Sequence, residues 1–395
     1  MTKKLLHVLF LLLLIMAYNC SNQEQKPEND PPIIKSHNQR AKARQYKRRR
    51  TRRRRRREIV IPYRNLSRKA YLIADARKLK RTIVTAHLEQ RILRGQNILW
   101  CNTFQLAWNK LKHRLGKQIK LKNTPNIVSI LNRNTVSKDD LDESSFVAMA
   151  GFVKDGIISQ IRSALKGKYK EQAPKVFLEE EKSLSRDDLI AFAYLFKQLP
   201  FQWTFKRFKS PMSFGKGKVA SFGFYQYQYK DHSPQTIKAA RQVLIQDYRN
   251  DNNFILELKV QSEKDRLILA KVPASSTLLE TVRLIKLRLK HPHRVRLHRK
   301  DTLKVPVLDF DIKKDYSELP KPFVVAQQQI RFRLNEKGAI LKSRGKMRMM
   351  SAGYVPRNLI FNKPFLILLI QKKAKNPYFA LWVNNVELLV PFKRP

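Results

Sequence analysis

The sequence predicts a mixed α+β domain, with several helices around a mixed central sheet. Three observations carry that expectation. Segments with helical spacing gather in the first half, strand-like runs gather in the second, and no regular strand–helix–strand alternation links them. Hydrophobic residues make up 43% of the chain and aromatics 10%, enough to bury a sizeable core. A length of 395 residues admits one large domain or two ordinary ones. Beyond residue 58 no internal repeat or Gly/Ser linker divides the chain, so a single domain over residues 59–395 is expected.

Residues 1–20 read as an export signal. Lys3 and Lys4 precede an apolar run over residues 5–17 that is too short for a permanent membrane anchor. Cys20 follows, where a bacterial lipoprotein would carry its lipid. The preceding Ala17, Tyr18 and Asn19 fit the usual small-residue pattern poorly, so simple cleavage near Ala17 is the rival. Either way the protein is expected outside the cytoplasm, in the cell envelope as a membrane-anchored lipoprotein or periplasmic protein, or secreted. With Cys20 lipidated, Cys101 is left as a free, buried thiol and no disulfide forms.

Residues 21–58 read as a disordered, Arg-rich tether. Residues 35–57 carry 14 Lys and Arg and no acid, and like charges keep such a segment extended. Removing those 14 from the net charge of +51 leaves about +37 on the rest, so the folded part is basic as well. Such a field gathers polyanions at the surface. The run holding Arg52, Arg53 and Arg54 has three open readings. It is a spacer against anionic headgroups, worth roughly 1 kcal/mol per basic residue; an arm for nucleic acid or acidic polysaccharide; or a solvated tail without a dedicated partner.

Residues 63–93 alternate basic and apolar side chains at helical spacing, which predicts helix. Residues 97–111 (NILWCNTFQLAWNKL) read as a short buried strand feeding a helix, and 146–169 as a helix with its connector. The period of 189–196 (LIAFAYLF) does not separate helix from strand. Residues 243–248 and 254–260 flank Arg249, Asn250, Asp251, Asn252 and Asn253, a hairpin signal, with a further strand at 266–272. Residues 277–290 place Leu278, Val282, Ile285 and Leu289 on one helical face and Arg283, Lys286 and Lys290 elsewhere, giving a basic amphipathic helix. Residues 304–312 and 324–334 read as strands, and 360–370 with 378–385 as a buried closing hairpin.

Between them lies an unusual pattern. Ala339, Leu341, Ser343, Gly345, Met347 and Met349 are small or apolar, and Lys342, Arg344, Lys346 and Arg348 stand between them, with Ile340 the exception. Period-two alternation where the flanks read as loop marks a segment with two states, one of them in a sheet.

Motifs of enzyme chemistry are nearly absent. The chain has 11 glycines and no phosphate loop, and neither His-Glu-x-x-His nor paired cysteines occur. His291, His293 and His298 lie among Arg294, Arg296, Arg299 and Lys300, whose field opposes a cation and favours a polyanion-facing surface. The acids at 139–143 and 179–181 read as solvated, and Asp247 as part of the hairpin. No enzyme activity and no cofactor are expected. The candidate polyanion contacts are Arg52, Arg53 and Arg54 with Lys117, Lys120, Lys122, Arg294, Arg296 and Arg299. A generally basic surface with scattered solvated lysines is the equal alternative.

The carboxyl end resembles the serpin family. Glu336, Lys337, Gly338 and Ala339 match the hinge that opens the family's reactive-centre loop, and residues 361–365 (FNKPF) match the start of its closing hairpin. Asn97 matches the first residue of the family's Asn-x-x-x-Ser-Pro-x-Ser, with Cys101, Asn102 and Phe104 in place of the Ser-Pro-x-Ser residues. Phe201, Trp203, Phe205 and Phe208 resemble the aromatic stretch after a central strand of the family, and that resemblance implies that 189–196 is a strand. The resemblance implies an exposed loop at 339–356 offered to a protease as its partner, with the bait bond near Ala352 and Gly353. A trypsin-like enzyme would cut after Lys346 or Arg348. Suicide-type inhibition would follow from insertion of the loop's first half as an added strand. Ala339, Ser343 and Gly345 would face inward, and Leu341, the one bulky inward residue, is expected to slow insertion. The other reading is a non-inhibitory serpin-like protein holding acidic polysaccharide, nucleic acid or an anionic membrane surface through its basic faces. A monomer is expected.

Overall fold

The computed structural model describes residues 70–120, 124–133, 140–170, 173–174, 176, 184–227, 230, 233–317, 319, 326–336 and 354–393, all within one compact unit, Pro62–Pro395. The fold is α+β. Its largest sheet has seven strands in the order β10-β11-β12-β17-β18-β3-β2. These are β2 (Thr82–Thr85), β3 (Asn97–Cys101), β10 (Val243–Asn250), β11 (Asn253–Leu258), β12 (Asp265–Lys271), β17 (Phe365–Gln371) and β18 (Phe379–Val383). Only β2 and β3 run parallel.

The period of FLILLI and FALWV is unreadable because this sheet is covered on both faces. Phe365, Ile367 and Leu369 enter the main core, while Leu366, Leu368 and Ile370 meet Leu278, Val282 and Ile285 of helix α5 (Leu278–Lys290). That helix starts as its residue types require. Thr277 accepts from the Glu280 amide and Glu280 accepts from the Thr277 amide, a complete capping box.

A four-stranded sheet runs β16-β13-β9-β6, from β16 (Asn358–Ile360), β13 (Thr302–Pro306), β9 (Ser221–Tyr225) and β6 (Lys206–Arg207). A three-stranded sheet joins β1 (Leu72–Asp75), β14 (Leu308–Asp315) and β15 (Gln327–Leu334) in the order β1-β14-β15. Two hairpin pairs remain: β4 (Phe146–Phe152) with β5 (Leu189–Leu195), and β7 (Met212–Phe214) with β8 (Gly217–Val219). The other helices are α1 (Thr103–Leu115), α2 (Asn126–Arg133), α3 (Ile157–Tyr169) and α4 (Pro234–Ala240). Phe222, Phe224, Leu303 and Val305 of the four-stranded sheet and Phe310, Ile312 and Ile330 of the three-stranded one complete the main core.

Several expectations are corrected. The described part of residues 63–93 holds no α-helix but β1, a 3-10 turn and β2. β1 pairs in parallel with β14 and β2 with β3, and the β-branched Thr82, Ile83, Val84 and Thr85 suit a strand. Residues 146–169 begin as β4, paired over its whole length with β5, before α3. The run 304–312 is not one strand: it breaks at Val307 and serves two sheets. Asp140 is not solvated but buried, and accepts from the backbone and side chain of Asn376 at 2.8 and 3.0 Å. Asp247 does lie in the hairpin, but as the buried ion-pair partner of Arg288. Cys101 is free and buried, as expected, with its thiol pKa raised by burial.

Candidate functional site

The site is built from the ends of two strands and one helix. β15 is hydrogen-bonded to β14 from Gln327 to Leu334, and β5 to β4 from Leu189 to Leu195. Among the described strands neither has a ladder on its other edge. Both rest on α1. Phe104, Trp108 and Leu111, one face of that helix, pack against Leu189 and Ala191 of β5. At the helix start Gln328 of β15 donates to the Cys101 carbonyl at 3.0 Å and to Thr103 Oγ1 at 2.7 Å, and accepts from the Tyr316 hydroxyl at 2.8 Å. Thr103 thus supplies a hydroxyl beside the positions where the resemblance expects serines. Sequence reasoning missed both residues, because a Gln within a strand carries no signal of its own.

Asn97 is a hub. Its carboxamide donates to Thr82 Oγ1 and Asn385 Oδ1 and accepts from the amides of Asn384 and Asn385, tying β2 and β3 to the turn after β18.

β15 leads to Glu336, the described residue of the expected hinge. The Glu336 carbonyl accepts from the Phe205 amide at 2.9 Å, and its carboxylate pairs with Arg207 of β6 at 3.0 Å. The structure therefore brings the hinge glutamate to the aromatic stretch that follows β5. There Trp203 exchanges hydrogen bonds with the Gln242 side chain, and the Lys238 ammonium lies 4.7 Å from its ring centroid. Lys337, Gly338 and Ala339 lie outside the described residues, as do the candidate bait residues Arg348, Ala352 and Gly353.

The chain is described again from Tyr354, and here it is held by a cluster invisible to motif reasoning. Asp301, fully buried, accepts from the Tyr354 hydroxyl at 2.9 Å, the Arg357 amide at 3.0 Å and the His298 amide at 2.8 Å, and pairs with the Arg357 guanidinium at 2.8 Å. The His298 ring lies 3.7 Å from that of Tyr354, with its pKa lowered by burial. Asp251 of the β10–β11 turn accepts from the Asn358 amide and side chain, both at 3.0 Å, and from Tyr248, whose pKa burial and this bond push up to about 12. Lys271 donates to the carbonyls of Asp251 and Ile360 and to Asn362 Oδ1, and burial holds its pKa down at about 8. Phe361 and Phe365, the ends of FNKPF, are fully buried with ring centroids 5.0 Å apart.

The expected polyanion residues are not gathered onto one element. Lys117 and Lys120 follow α1, whereas Arg294, Arg296 and Arg299 lie between α5 and β13. There the Arg294 guanidinium donates to Gln246, and the half-buried His298 ring lies against Tyr354. Cys20, Arg52, Arg53, Arg54 and Lys122 lie outside the described residues. Among the described residues no three His, Cys, Asp or Glu side chains are grouped to hold a metal.

No protein-family model matches this chain, and no curated protein does. Solved structures do. Mouse protein-Z dependent protease inhibitor is 12% identical over 73% of this chain and 91% of its own, with a TM-score of 0.45. Serpin48 of the insect Tenebrio molitor is 12% identical over 73% and 92%, with a TM-score of 0.39. Thyroxine-binding globulin in complex with thyroxine is 11% identical over 73% and 92%, with a TM-score of 0.38. These values describe a distant likeness of fold and say nothing of activity.

Proposed function

We propose that this protein is a serpin-like bait for a protease, and that it acts by strand addition rather than by catalysis. Segment 337–353 is presented as substrate; after cleavage its first half folds back along β15 and adds to that strand's open edge. One observation carries this reading: among the described residues, β15, from which the segment springs, and β5 both have an unladdered edge over the same helix, α1. An extended segment with period-two alternation is the element that completes such an edge through backbone hydrogen bonds. The two ends of the segment support the same reading. Glu336 is held to Phe205 and Arg207, and Tyr354 and Arg357 to Asp301, so cleavage between them frees the first half while the second stays tied to the four-stranded sheet.

The test is incubation of the full-length protein with serine and cysteine proteases of different specificity, read on a denaturing gel and by mass spectrometry. A covalent complex that survives denaturation is the expected result. Clean cleavage within 337–353 without a complex, whatever the protease, overturns inhibition. A melting temperature unchanged by that cleavage overturns strand addition itself.

A further inference from the structure

The sequence of α5 gives leucines to both sides of the helix. Leu278 joins Val282 and Ile285 in the core, but Leu284 is 36% exposed and Leu287 59% exposed, one turn apart on the opposite side. Arg283 and Lys290 are exposed on the same outer face, with Lys286 at its flank. The Lys286 ammonium donates to the Lys375 carbonyl, which joins the helix to the β17–β18 turn and its exposed Lys372, Lys373 and Lys375. None of these six cations makes an ion pair among the described residues, and the helix's own acid, Glu280, is engaged in the capping box. Two neighbouring exposed leucines thus share the outer face of α5 with Arg283 and Lys290, and Lys286 links that face to the three lysines of the β17–β18 turn.

We infer that the outer face of α5, with the β17–β18 turn, docks on an anionic lipid surface. Opposite charge identifies the class of partner, and the leucines choose within it. A sulfated polymer would engage the cations and leave Leu284 and Leu287 in water. A headgroup layer takes the leucines towards the acyl boundary while the long Lys and Arg side chains keep their charges at the phosphates. Each basic residue near such a surface contributes additively to the attraction.

Vesicle flotation of the full-length protein tests this, with phosphatidylcholine vesicles made with and without phosphatidylglycerol. The Arg-rich run at 48–57 is present in every variant, so the comparison is between variants. Arg283→Glu with Lys286→Glu and Lys290→Glu is expected to weaken partitioning onto anionic vesicles by on the order of 100-fold. Leu284→Ser with Leu287→Ser is expected to weaken it by about tenfold, while retention on a sulfated polysaccharide column stays unchanged. Lys216→Glu with Lys259→Glu, exposed cations on other elements, serves as the charge control. Melting curves confirm that each variant is folded. The inference is overturned if the leucine pair leaves vesicle binding unchanged, if the α5 charge variant binds like the parent, or if the charge control loses as much as that variant.

Discussion

At Asp301 one buried carboxylate gathers a hydroxyl, two backbone amides and a guanidinium. Replacing it leaves Arg357 charged and nearly buried without a counter-ion, a loss of about 3–5 kcal/mol. Asp301→Ala is expected to lower the urea midpoint accordingly and to loosen Tyr354, seen as faster proteolysis after that residue. Glu336 differs, because Arg207 is 40% exposed and an ion pair there is worth at most about 1 kcal/mol. Glu336→Gln is therefore expected to leave the melting point nearly unchanged and to raise the rate of cleavage within 337–353. A third prediction concerns acid. Burial lowers the pKa of both His87 and His298, so the unfolded chain takes up their protons more readily than the folded one. Stability is then full above the unfolded histidine pKa of about 6.5 and falls as pH drops through it. Unfolding by urea at pH 7.5 and pH 5.5 is expected to show that loss, and His87→Gln with His298→Gln to reduce it. Glu336 was legible as a motif residue. Asp301 was not, because an acid beside Lys300 has no pattern until the fold brings Tyr354 and Arg357 to it.

Among elements, the four-stranded sheet sets where segment 337–353 ends, since β16 lies beside β13 and β13 beside β9. Gly223 of β9 makes that packing possible. Its φ is +146°, and a Cβ there would stand 2.0 Å from the Leu303 carbonyl oxygen. Gly223→Ala is expected to cost about 3 kcal/mol or more through backbone strain and overpacking, measurable as a fall in melting temperature. The proposed strand addition makes its own prediction at this scale. Leu341 shares the inward parity of Ala339, Ser343 and Gly345, and burying it against α1 risks overpacking of about 1–3 kcal/mol. Leu341→Ala is expected to raise the share of protease trapped relative to protein merely cleaved.

For the whole molecule the dominant quantity is charge. A net of +51 repels itself in the compact state, and salt screens that repulsion. Raising ionic strength from about 0.01 M to about 0.15 M, which shortens the Debye length from about 30 Å to about 8 Å, is expected to raise the melting temperature. A flat response would mean that the charges are already spaced or locally compensated.

The sequence by itself determined the apolar runs, the closing hairpin, the free buried Cys101, the basic amphipathic helix and the α+β class, because local periodicity and composition encode them. It left open, or gave wrongly, whatever depends on pairing between distant segments. Residues 72–85 carry helical spacing but are strands because β14 and β3 offer them edges. Residues 304–312 read as one strand but divide between two sheets. Asp140 reads as a solvated acid until Asn376 meets it in the interior, and Asp247 reads only as a hairpin residue until Arg288 pairs with it there. Only the tertiary structure decided that β5 and β15 share α1 as a floor, since a strand's open edge is defined by the neighbours it lacks.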